Sequence, residues 1–574
     1  MTRRIQRHSK IAVAAGFVLL ASIGAAMCPW TEDLTPVNAS SVNESASDGI
    51  PIRFSLDAPG YVTLVIEDAD GHRVRNLVAN TYFQAGEHTV YWDGYDAGKA
   101  VNYSNEGGAH YDIERHRVAP GTYHVRGLVH DGIRMRYALS VQSPGTPPWH
   151  TLDGSGAWLS DHAPPIDVLM LPGGSAYGPQ PHIMVSAPVA EAGHSLMWLD
   201  LDGHKLAGQR IGWEGAYALA RDAGSRANPA VVAYAVSVRK GRLTLLSHNT
   251  DGTRDVLLRQ RLDADYEPSS GIDLEVYNQH LVVSLPLDHR LAFFDVRGKK
   301  AKKAGTAEAP YPKGLMVDEA GRLYVIQNRA VRRYRVDWER ARLEQEELII
   351  DATLDDPRRI TKDEEGRLYV SDWGRSHQVK VFTAQGQWLH TIGGSGGPQI
   401  GRYDEQRMHH PNGLAIDKQG RLWVAELDYA PKRLSLWTAQ GTLIRTFYGP
   451  PRYGGGGVLD PADSTRFYYA TGGRRVNAGI VFTLDWERGE AIPKSIYKRG
   501  QGEGAEAGLP YHAPAQPIHF AGRTYLVNTF NQASHGMRGV VGIWLWNEAT
   551  ETTRLVSVVG FHGRNKSHRW AALD

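Results

Sequence analysis

The chain has 574 residues, more than one ordinary domain, so two or more domains are expected. Its 64 Lys and Arg residues nearly balance 62 Asp and Glu residues, so net charge gives no reason to expect binding to nucleic acid or to an anionic membrane. The single cysteine, Cys28, excludes an intrachain disulfide and a thiolate zinc cluster, so the fold must be held by packing.

The N-terminus has the pattern of an export signal. Four basic residues precede an uncharged apolar run over residues 11–27, and residues 24–26 are the small Gly-Ala-Ala that a signal peptidase requires. We predict a signal peptide over residues 1–26 and a periplasmic, secreted or cell-surface location. Attachment to the membrane, by an uncleaved anchor or through a lipidated Cys28, remains an alternative. Residues 27–49 are polar and predict a flexible linker.

A first β domain is predicted over residues 50–141. Its segments alternate apolar and polar residues, as half-buried strands do, and residues 68–71 (Asp-Ala-Asp-Gly) predict a hairpin turn. Residues 62–77, 85–94 and 120–123 resemble the immunoglobulin-like domain of flagellar hook-capping proteins, with an insertion over residues 102–117. The resemblance implies an Ig-like β-sandwich that serves as a structural module, without a flagellar role.

A second, larger domain is built from repeats. Three segments share the motif Asp-x-x-Gly-Arg-Leu, with Leu323, Leu368 and Leu422 spaced 45 and 54 residues apart. A period of this length made of strands predicts a β-propeller, because a single four-stranded sheet cannot bury both of its faces. Looser copies bring the count to eight repeats. We therefore predict an eight-bladed propeller over residues 150–562, with seven blades as second choice, and a basic C-terminal tail over 563–574.

The repeats also carry a family resemblance. The stretches around His194, His289 and His377 resemble the Asn-His-Leu segment of NHL-repeat propellers, and residues 393–403 followed by 411–417 resemble that family's linker between blades. The resemblance implies the propeller fold. It does not determine function, since the family includes proteins that bind protein, RNA or glycans, as well as a few lyases.

The residues that precede each first strand should ring one mouth of the central channel. We predict binding residues at these positions: His162, Glu267, Tyr311, Asp356, His410 and His512. The three histidines, His162, His410 and His512, could share a divalent metal, zinc or calcium. The alternative is structural, because a residue at such a strand entry often serves the turn or hydrogen-bonds a neighbouring blade.

Catalytic candidates lie around the sixth repeat. Arg402, Tyr403 and His409 precede its first strand, and Glu426 follows the second. The resemblance to NHL-fold lyases, which carry metal ligands and an Arg or Tyr around the channel, implies general acid, base or cation roles for them. The basic cluster over residues 297–303 has no interleaved aromatic residue, so we predict a solvated loop and no nucleic-acid partner.

No sequence motif of high catalytic specificity is present. We therefore predict an exported, monomeric binding or scaffold protein that presents a propeller face to an extracellular polymer, peptide or protein partner. The alternative is a metal-assisted lyase or hydrolase at the mouth of the propeller channel.

Overall fold

The computed structural model is all-β, as predicted. It describes residues 49–102, 111–133, 137–139, 141, 159–160, 162–190, 194–209, 215–351, 353–397, 399–429, 431–449, 457–471, 478–499, 516–530 and 540–560. The predicted signal peptide, almost all of the linker, His512 and the basic tail lie outside these residues. Within them, no helix has both the length and the apolar character needed to span a bilayer.

The first compact unit covers residues 1–136. Its sheets are β1–β4, β3–β2–β7 and the short β5–β6 ladder. Alternate residues of the first two sheets, such as Phe54, Val62 and Val78, form a buried core, which is why these strands alternate in hydropathy. The predicted turn is present, since the Asp68 carboxylate accepts the main-chain N–H groups of Asp70 and His72. The strands are β1 Ile50–Leu56, β2 Gly60–Glu67, β3 Arg73–Phe83, β4 Gly86–Trp92, β5 Lys99–Asn102, β6 Tyr111–Glu114 and β7 His124–His130.

The described part of the second unit, residues 137–574, contains eight consecutive antiparallel meanders. We predicted that residues up to 141 belong to the first domain. Instead, Leu139 and Val141 pack against the cluster of Tyr469 and Ile480 in the seventh meander.

Six meanders form blades 1 to 6 of a ring. Blade 1 is β8 Asp167–Leu171, β9 His182–Ser186, β10 Leu196–Leu199 and β11 Lys205–Gln209; blade 2 is β12 Ala218–Ala220, β13 Val231–Arg239, β14 Arg242–Asn249 and β15 Arg254–Arg261; blade 3 is β16 Leu274–Tyr277, β17 His280–Leu285, β18 Arg290–Asp295 and β19 Lys302–Glu308. Blade 4 is β20 Pro312–Val317, β21 Leu323–Gln327, β22 Ala330–Asp337 and β23 Arg342–Ile350; blade 5 is β24 Pro357–Lys362, β25 Leu368–Asp372, β26 Gln378–Phe382 and β27 Trp388–Ile392; blade 6 is β29 Pro411–Ile416, β30 Leu422–Glu426, β31 Arg433–Trp437 and β32 Leu443–Tyr448. Two 3₁₀ turns, Pro268–Ser270 and Pro286–Asp288, lie at the start and in the middle of blade 3.

The Asp-x-x-Gly-Arg-Leu repeat is the turn between the first and second strands of a blade. In blade 6, Asp417 Oδ1 accepts the main-chain N–H of Arg421 at 2.9 Å, and Oδ2 accepts its Nε at 2.7 Å. Asp318 and Asp363 bind the corresponding arginines in the same way in blades 4 and 5. The glycine has a positive φ, 72° at Gly420, which explains why the motif requires it.

The ring closes between blades 6 and 1. The Gly413 N–H donates to the Ile166 carbonyl oxygen at 3.0 Å, and Asn412 Nδ2 donates to the same oxygen at 2.8 Å. Lys432 Nζ adds a bond of 2.7 Å to the carbonyl oxygen of Ser160. The innermost strands contact one another in the order β8, β12, β16, β20, β24, β29 and back to β8. The ring therefore has six blades, and the predictions of eight and seven are wrong.

The seventh and eighth meanders lie outside the ring and pack on each other through Tyr468, Tyr497, Leu526 and Trp546. The seventh gains a fifth strand from the linker between blades 5 and 6, where β28 (Gly401–Arg402) pairs with β36 (Glu490–Arg499). Each repeat in the sequence specifies a four-stranded sheet. Whether that sheet becomes a blade of the ring depends on how both of its faces pack, so the number of repeats exceeds the number of blades. The strands are β28 Gly401–Arg402, β33 Gly457–Asp460, β34 Asp463–Thr471, β35 Ala478–Asp485, β36 Glu490–Arg499, β37 Gln516–Phe520, β38 Arg523–Phe530, β39 Val540–Asn547 and β40 Thr552–Gly560.

Candidate functional site

One end of the ring gathers most of the predicted binding residues. We call the end at which the six innermost strands begin the mouth. Five of the predicted binding residues lie in the segments that lead into an innermost strand there: His162, Glu267, Tyr311, Asp356 and His410. They differ in exposure, since His162 is buried whereas Tyr311 is 48% exposed. His512 lies outside the described residues.

A continuous series of polar and aromatic contacts crosses blades 4 to 6 at the mouth. Asp356 binds Lys313 Nζ of blade 4 and Arg358 Nη2 of blade 5, both at 2.6 Å. The Arg358 guanidinium carbon lies 3.6 Å from the centre of the Trp373 ring, and the Trp373 ring meets that of His410 edge-on at 4.9 Å. Arg358 Nη1 also donates to the Ser269 carbonyl oxygen of blade 3 at 2.6 Å, so the cation is fixed in place over the aromatic face.

His410 and the histidines of the Asn-His-Leu-like stretches make structural contacts. The His410 N–H donates to Nδ1 of His377 at 3.1 Å, and the Tyr311 N–H donates to Nδ1 of His289 at 3.3 Å in the equivalent place between blades 3 and 4. Tyr311 and His410 adopt φ values of 44° and 53°, and His410 Nδ1 binds Asp428 Oδ2 at 2.8 Å. His289 and His377 thus each tie one blade to the residue that starts the next, whereas the His410 ring binds Asp428 within blade 6.

The three-histidine metal prediction assumed that eight equivalent sectors surround one axis. The strand that follows His512 belongs to the eighth sheet, outside the ring, so that assumption is wrong. A shared metal at His162, His410 and His512 remains a prediction, because His512 lies outside the described residues. His410 would have to bind through Nε2, because Asp428 engages Nδ1.

Three of the four catalytic candidates come together. Glu426 Oε1 accepts bonds from Arg433 Nε and Ser435 Oγ, both at 2.7 Å, and Oε2 accepts the His409 N–H at 2.7 Å. Arg433 Nη1 donates to the Tyr403 hydroxyl at 2.7 Å. Burial raises the pKa of Glu426 against the opposing charge of Arg433, and burial raises the pKa of Tyr403 to about 12. Arg402 is exposed and contributes its main chain to β28, outside this group.

The sequence analysis missed a charged cluster inside the channel. A cavity of about 240 Å³ lies among the six innermost strands, and Asp167, Asp273, Glu275 and Arg359 line it. Arg359 Nη1 pairs with Asp273 Oδ2 at 3.2 Å, and Nη2 donates to the Tyr217 carbonyl oxygen at 2.9 Å. The Arg359 side chain of blade 5 thus reaches across the channel to blades 2 and 3.

The channel carboxylates also join neighbouring blades. Asp167 Oδ2 accepts the N–H of Leu219 in blade 2 at 2.8 Å, and Asp273 Oδ2 accepts the N–H of Leu315 in blade 4 at 2.7 Å. Burial raises the pKa of Asp167 to about 7 and also raises the pKa of Asp273 and Glu275, while Arg359 opposes the shift. Alignment of the repeats at the start of the innermost strand could have found the cluster, since Asp167, Asp273 and Arg359 occupy equivalent positions.

Comparison with known proteins gives one similarity in sequence and several in structure. No family model matches the chain. NHL repeat-containing protein 2 of Gallus gallus is 39% identical over 74 residues, which is 12% of this chain and 10% of that protein. The chain thus matches about a tenth of the length of this curated relative.

Similar solved structures include the nidogen/laminin complex (TM-score 0.34, 13% identity, 49% of this chain and 93% of that chain) and streptogramin B lyase (0.28, 13%, 59% and 93%). A gluconolactonase from Xanthomonas campestris gives a TM-score of 0.32 at 17% identity, covering 46% of this chain and 84% of that chain. These scores are low, so the assignment of fold rests on the strand pairing and ring closure described above. The chain is a β-propeller protein with a short stretch similar to an NHL-repeat protein.

Proposed function

We propose that this is an exported binding protein whose ring presents its mouth to an extracellular polymer, peptide or protein partner. In this proposal the N-terminal β unit is an Ig-like structural module, and the protein acts as a monomer. The observation that carries the proposal is the contact series from Lys313 through Asp356, Arg358 and Trp373 to His410.

This series has the properties of a preorganised recognition surface. Arg358 is fixed by Asp356 and the Ser269 carbonyl group, so little side-chain entropy would be lost when a partner binds beside it. Tyr311 is half exposed and the Arg375 side chain is fully exposed. Aromatic and Arg side chains are the residue types that dominate binding energy at protein surfaces.

The alternative is a metal-assisted lyase or hydrolase at the mouth. Its main acid or base candidate, Glu426, already accepts three hydrogen bonds from protein groups within a buried network. A general acid or base needs a proton position within reach of a substrate. This saturation favours the binding role.

Arrays of immobilised bacterial polysaccharides and synthetic peptides would test the binding proposal. We expect at least one specific ligand whose affinity falls tenfold or more in Trp373→Ala and in Arg375→Glu, the second of which alters only an exposed side chain. Lys418→Ala, in the exposed turn at the opposite end of blade 6, is the matched control. An equal loss of affinity in Lys418→Ala, or ligands whose affinity neither mouth variant changes, would contradict the proposal that the mouth binds the ligand.

Metal analysis of the purified protein would test the alternative. Stoichiometric zinc or calcium that is lost in His410→Ala would favour the enzyme. A folded, metal-free protein that still binds its ligand would favour the binding role.

A further inference from the structure

A second cavity lies between blades 3 and 4, and its lining includes none of the residues of the mouth series. Its volume is about 930 Å³. Glu308 and Pro310, at the end of blade 3, form one wall, and side chains of β21, β22 and β23 form the floor and the other wall. Pockets of 300–1,000 Å³ are typical of small-molecule sites.

The floor of this cavity contains an incompletely satisfied amide. Gln327 is 4% exposed, and its Oε1 accepts a bond from the Tyr334 hydroxyl at 3.2 Å. Among the described residues no partner lies within hydrogen-bond distance of Gln327 Nε2. If the Gln327 amide is flipped by 180°, Nε2 donates to the Tyr334 hydroxyl oxygen and Oε1 is the atom without a partner. In both orientations one buried amide atom at the cavity wall lacks a partner, which is costly unless a ligand or water supplies it.

The amide is surrounded by hydrogen-bond donors and acceptors and by charged side chains. The Tyr334 hydroxyl also lies 3.0 Å from Glu346 Oε2, so its single proton is donated either to Gln327 or to Glu346, and Arg332 forms an ion pair with the same carboxylate. Four carboxylates line the cavity, against two guanidinium groups: Glu308, Glu344, Glu346 and Asp351, with Arg329 and Arg332. This excess of negative charge disfavours an anionic ligand.

We propose that the cavity between blades 3 and 4 binds a neutral oligosaccharide. A sugar hydroxyl both donates and accepts, so it can donate to Glu308 or Glu346 and can complete Gln327 in either amide orientation. A basic side chain only donates, and so it would complete the amide in one orientation alone. The cavity volume lies near the upper end of the range for small-molecule sites, which leaves room for more than one sugar ring. This site uses other residues than the mouth and stands independently of the function proposed above.

Isothermal titration calorimetry with neutral trisaccharides of glucose and of N-acetylglucosamine would test the site. We expect at least one to bind, and we expect Gln327→Leu and Glu308→Ala each to weaken that binding tenfold or more. Glu308→Ala removes an exposed side chain, so it decides the question if Gln327→Leu fails to fold. The control Gln385→Leu, in an exposed turn of blade 5, should bind as the unmodified protein does.

Trp373→Ala should also retain trisaccharide binding, which separates this site from the mouth. Absence of binding by every trisaccharide, or binding that neither cavity variant reduces, would overturn the proposal. So would a lysine-rich peptide that binds in a Glu308-dependent way while the sugars do not.

Discussion

Arg359 Nη2 on the innermost strand of blade 5 donates to the main-chain oxygen of Tyr217 in blade 2 at 2.9 Å, so one side chain spans the channel. The same guanidinium group pairs with Asp273 of blade 3. Both side chains of that pair are about 6% exposed, which makes this a buried ion pair rather than a surface one. The stability of the ring should therefore depend on it.

Arg359→Met should lower the free energy of unfolding by about 3–5 kcal/mol, because it leaves the Asp273 carboxylate buried without its counter-charge. Urea denaturation at neutral pH measures the change. The double variant Arg359→Met/Asp273→Asn should recover part of the loss, and Arg375→Met, at a fully exposed arginine, should change stability by less than about 0.5 kcal/mol. A loss below about 1 kcal/mol for Arg359→Met would contradict the assigned role.

Acid should weaken the fold through His248. Burial, followed by the charge of Arg254, lowers the pKa of His248 to about 3, and the imidazole is 1% exposed. The unfolded chain binds this proton below pH 6.5 whereas the folded chain does not, so this stability is complete above pH 6.5 and is lost as pH falls from 6.5 towards 3. The expected contribution of His248 to the slope is about 1.4 kcal/mol per pH unit over that range. Asp167, whose pKa is raised to about 7, contributes in the opposite sense as pH falls from 7 towards 3.8.

The variant His248→Phe should remove this slope from unfolding free energies measured between pH 7 and pH 4.5. His204→Phe, at an exposed histidine of blade 1, provides the comparison and should retain it. An unchanged slope in His248→Phe would show that another group is responsible.

The seam of the ring should not tolerate a methyl group at Gly413. A Cβ there would lie 2.4 Å from both Cα and Oδ1 of Asp167, closer than real contacts allow. Gly413→Ala should therefore destabilise the protein by more than the usual 1–3 kcal/mol of an overpacked site. Gly298→Ala, where the nearest atom is 3.7 Å away, should be close to neutral in the same thermal melts. Similar melting temperatures for the two variants would show that the seam can separate freely.

The buried pair Glu426–Arg433 should act as a structural unit. Both side chains are fully buried, so Glu426→Gln should cost about 3–5 kcal/mol by leaving Arg433 without its counter-charge. Arg433→Met in the same chain should restore part of that loss. At the pair of Lys362 with the exposed Glu319, the matched change Glu319→Gln should cost about 0–1 kcal/mol. A stable Glu426→Gln variant that had lost a measurable activity would instead revive the catalytic role.

The sequence predicted the local strand and turn structure better than it predicted how many blades close the ring. The Asp-x-x-Gly-Arg-Leu motif correctly located strands in blades 4, 5 and 6, because the aspartate and the arginine bind each other four residues apart. The number of blades could not be read in this way. Closure depends on Gly413 lying against Asp167, and the repeat pattern does not reveal that these two residues, far apart in the chain, belong to adjacent blades.

The residues at the mouth were predicted from their positions in the repeats, whereas the charged residues inside the channel were not predicted. A residue before an innermost strand must lie at the mouth of a propeller, so Asp356 and His410 were placed from spacing alone. Arg359 was overlooked because its partners, Tyr217 and Asp273, belong to blades that only the closed ring brings opposite it. Tyr403, His409 and Glu426 are close in sequence, and their meeting was therefore predictable, but their saturation by Arg433 and Ser435 was not.

Every blade of the ring is made from one uninterrupted stretch of chain, and no strand is exchanged between the first and the last. Among the residues that the structure describes, the seam between Ile166 and Gly413 is consequently crossed by single hydrogen bonds and packing and not by a strand ladder. A force applied across that seam could part blades 1 and 6 without unzipping either sheet. Opening of the ring and unfolding of its blades are thus mechanically distinct events in this molecule.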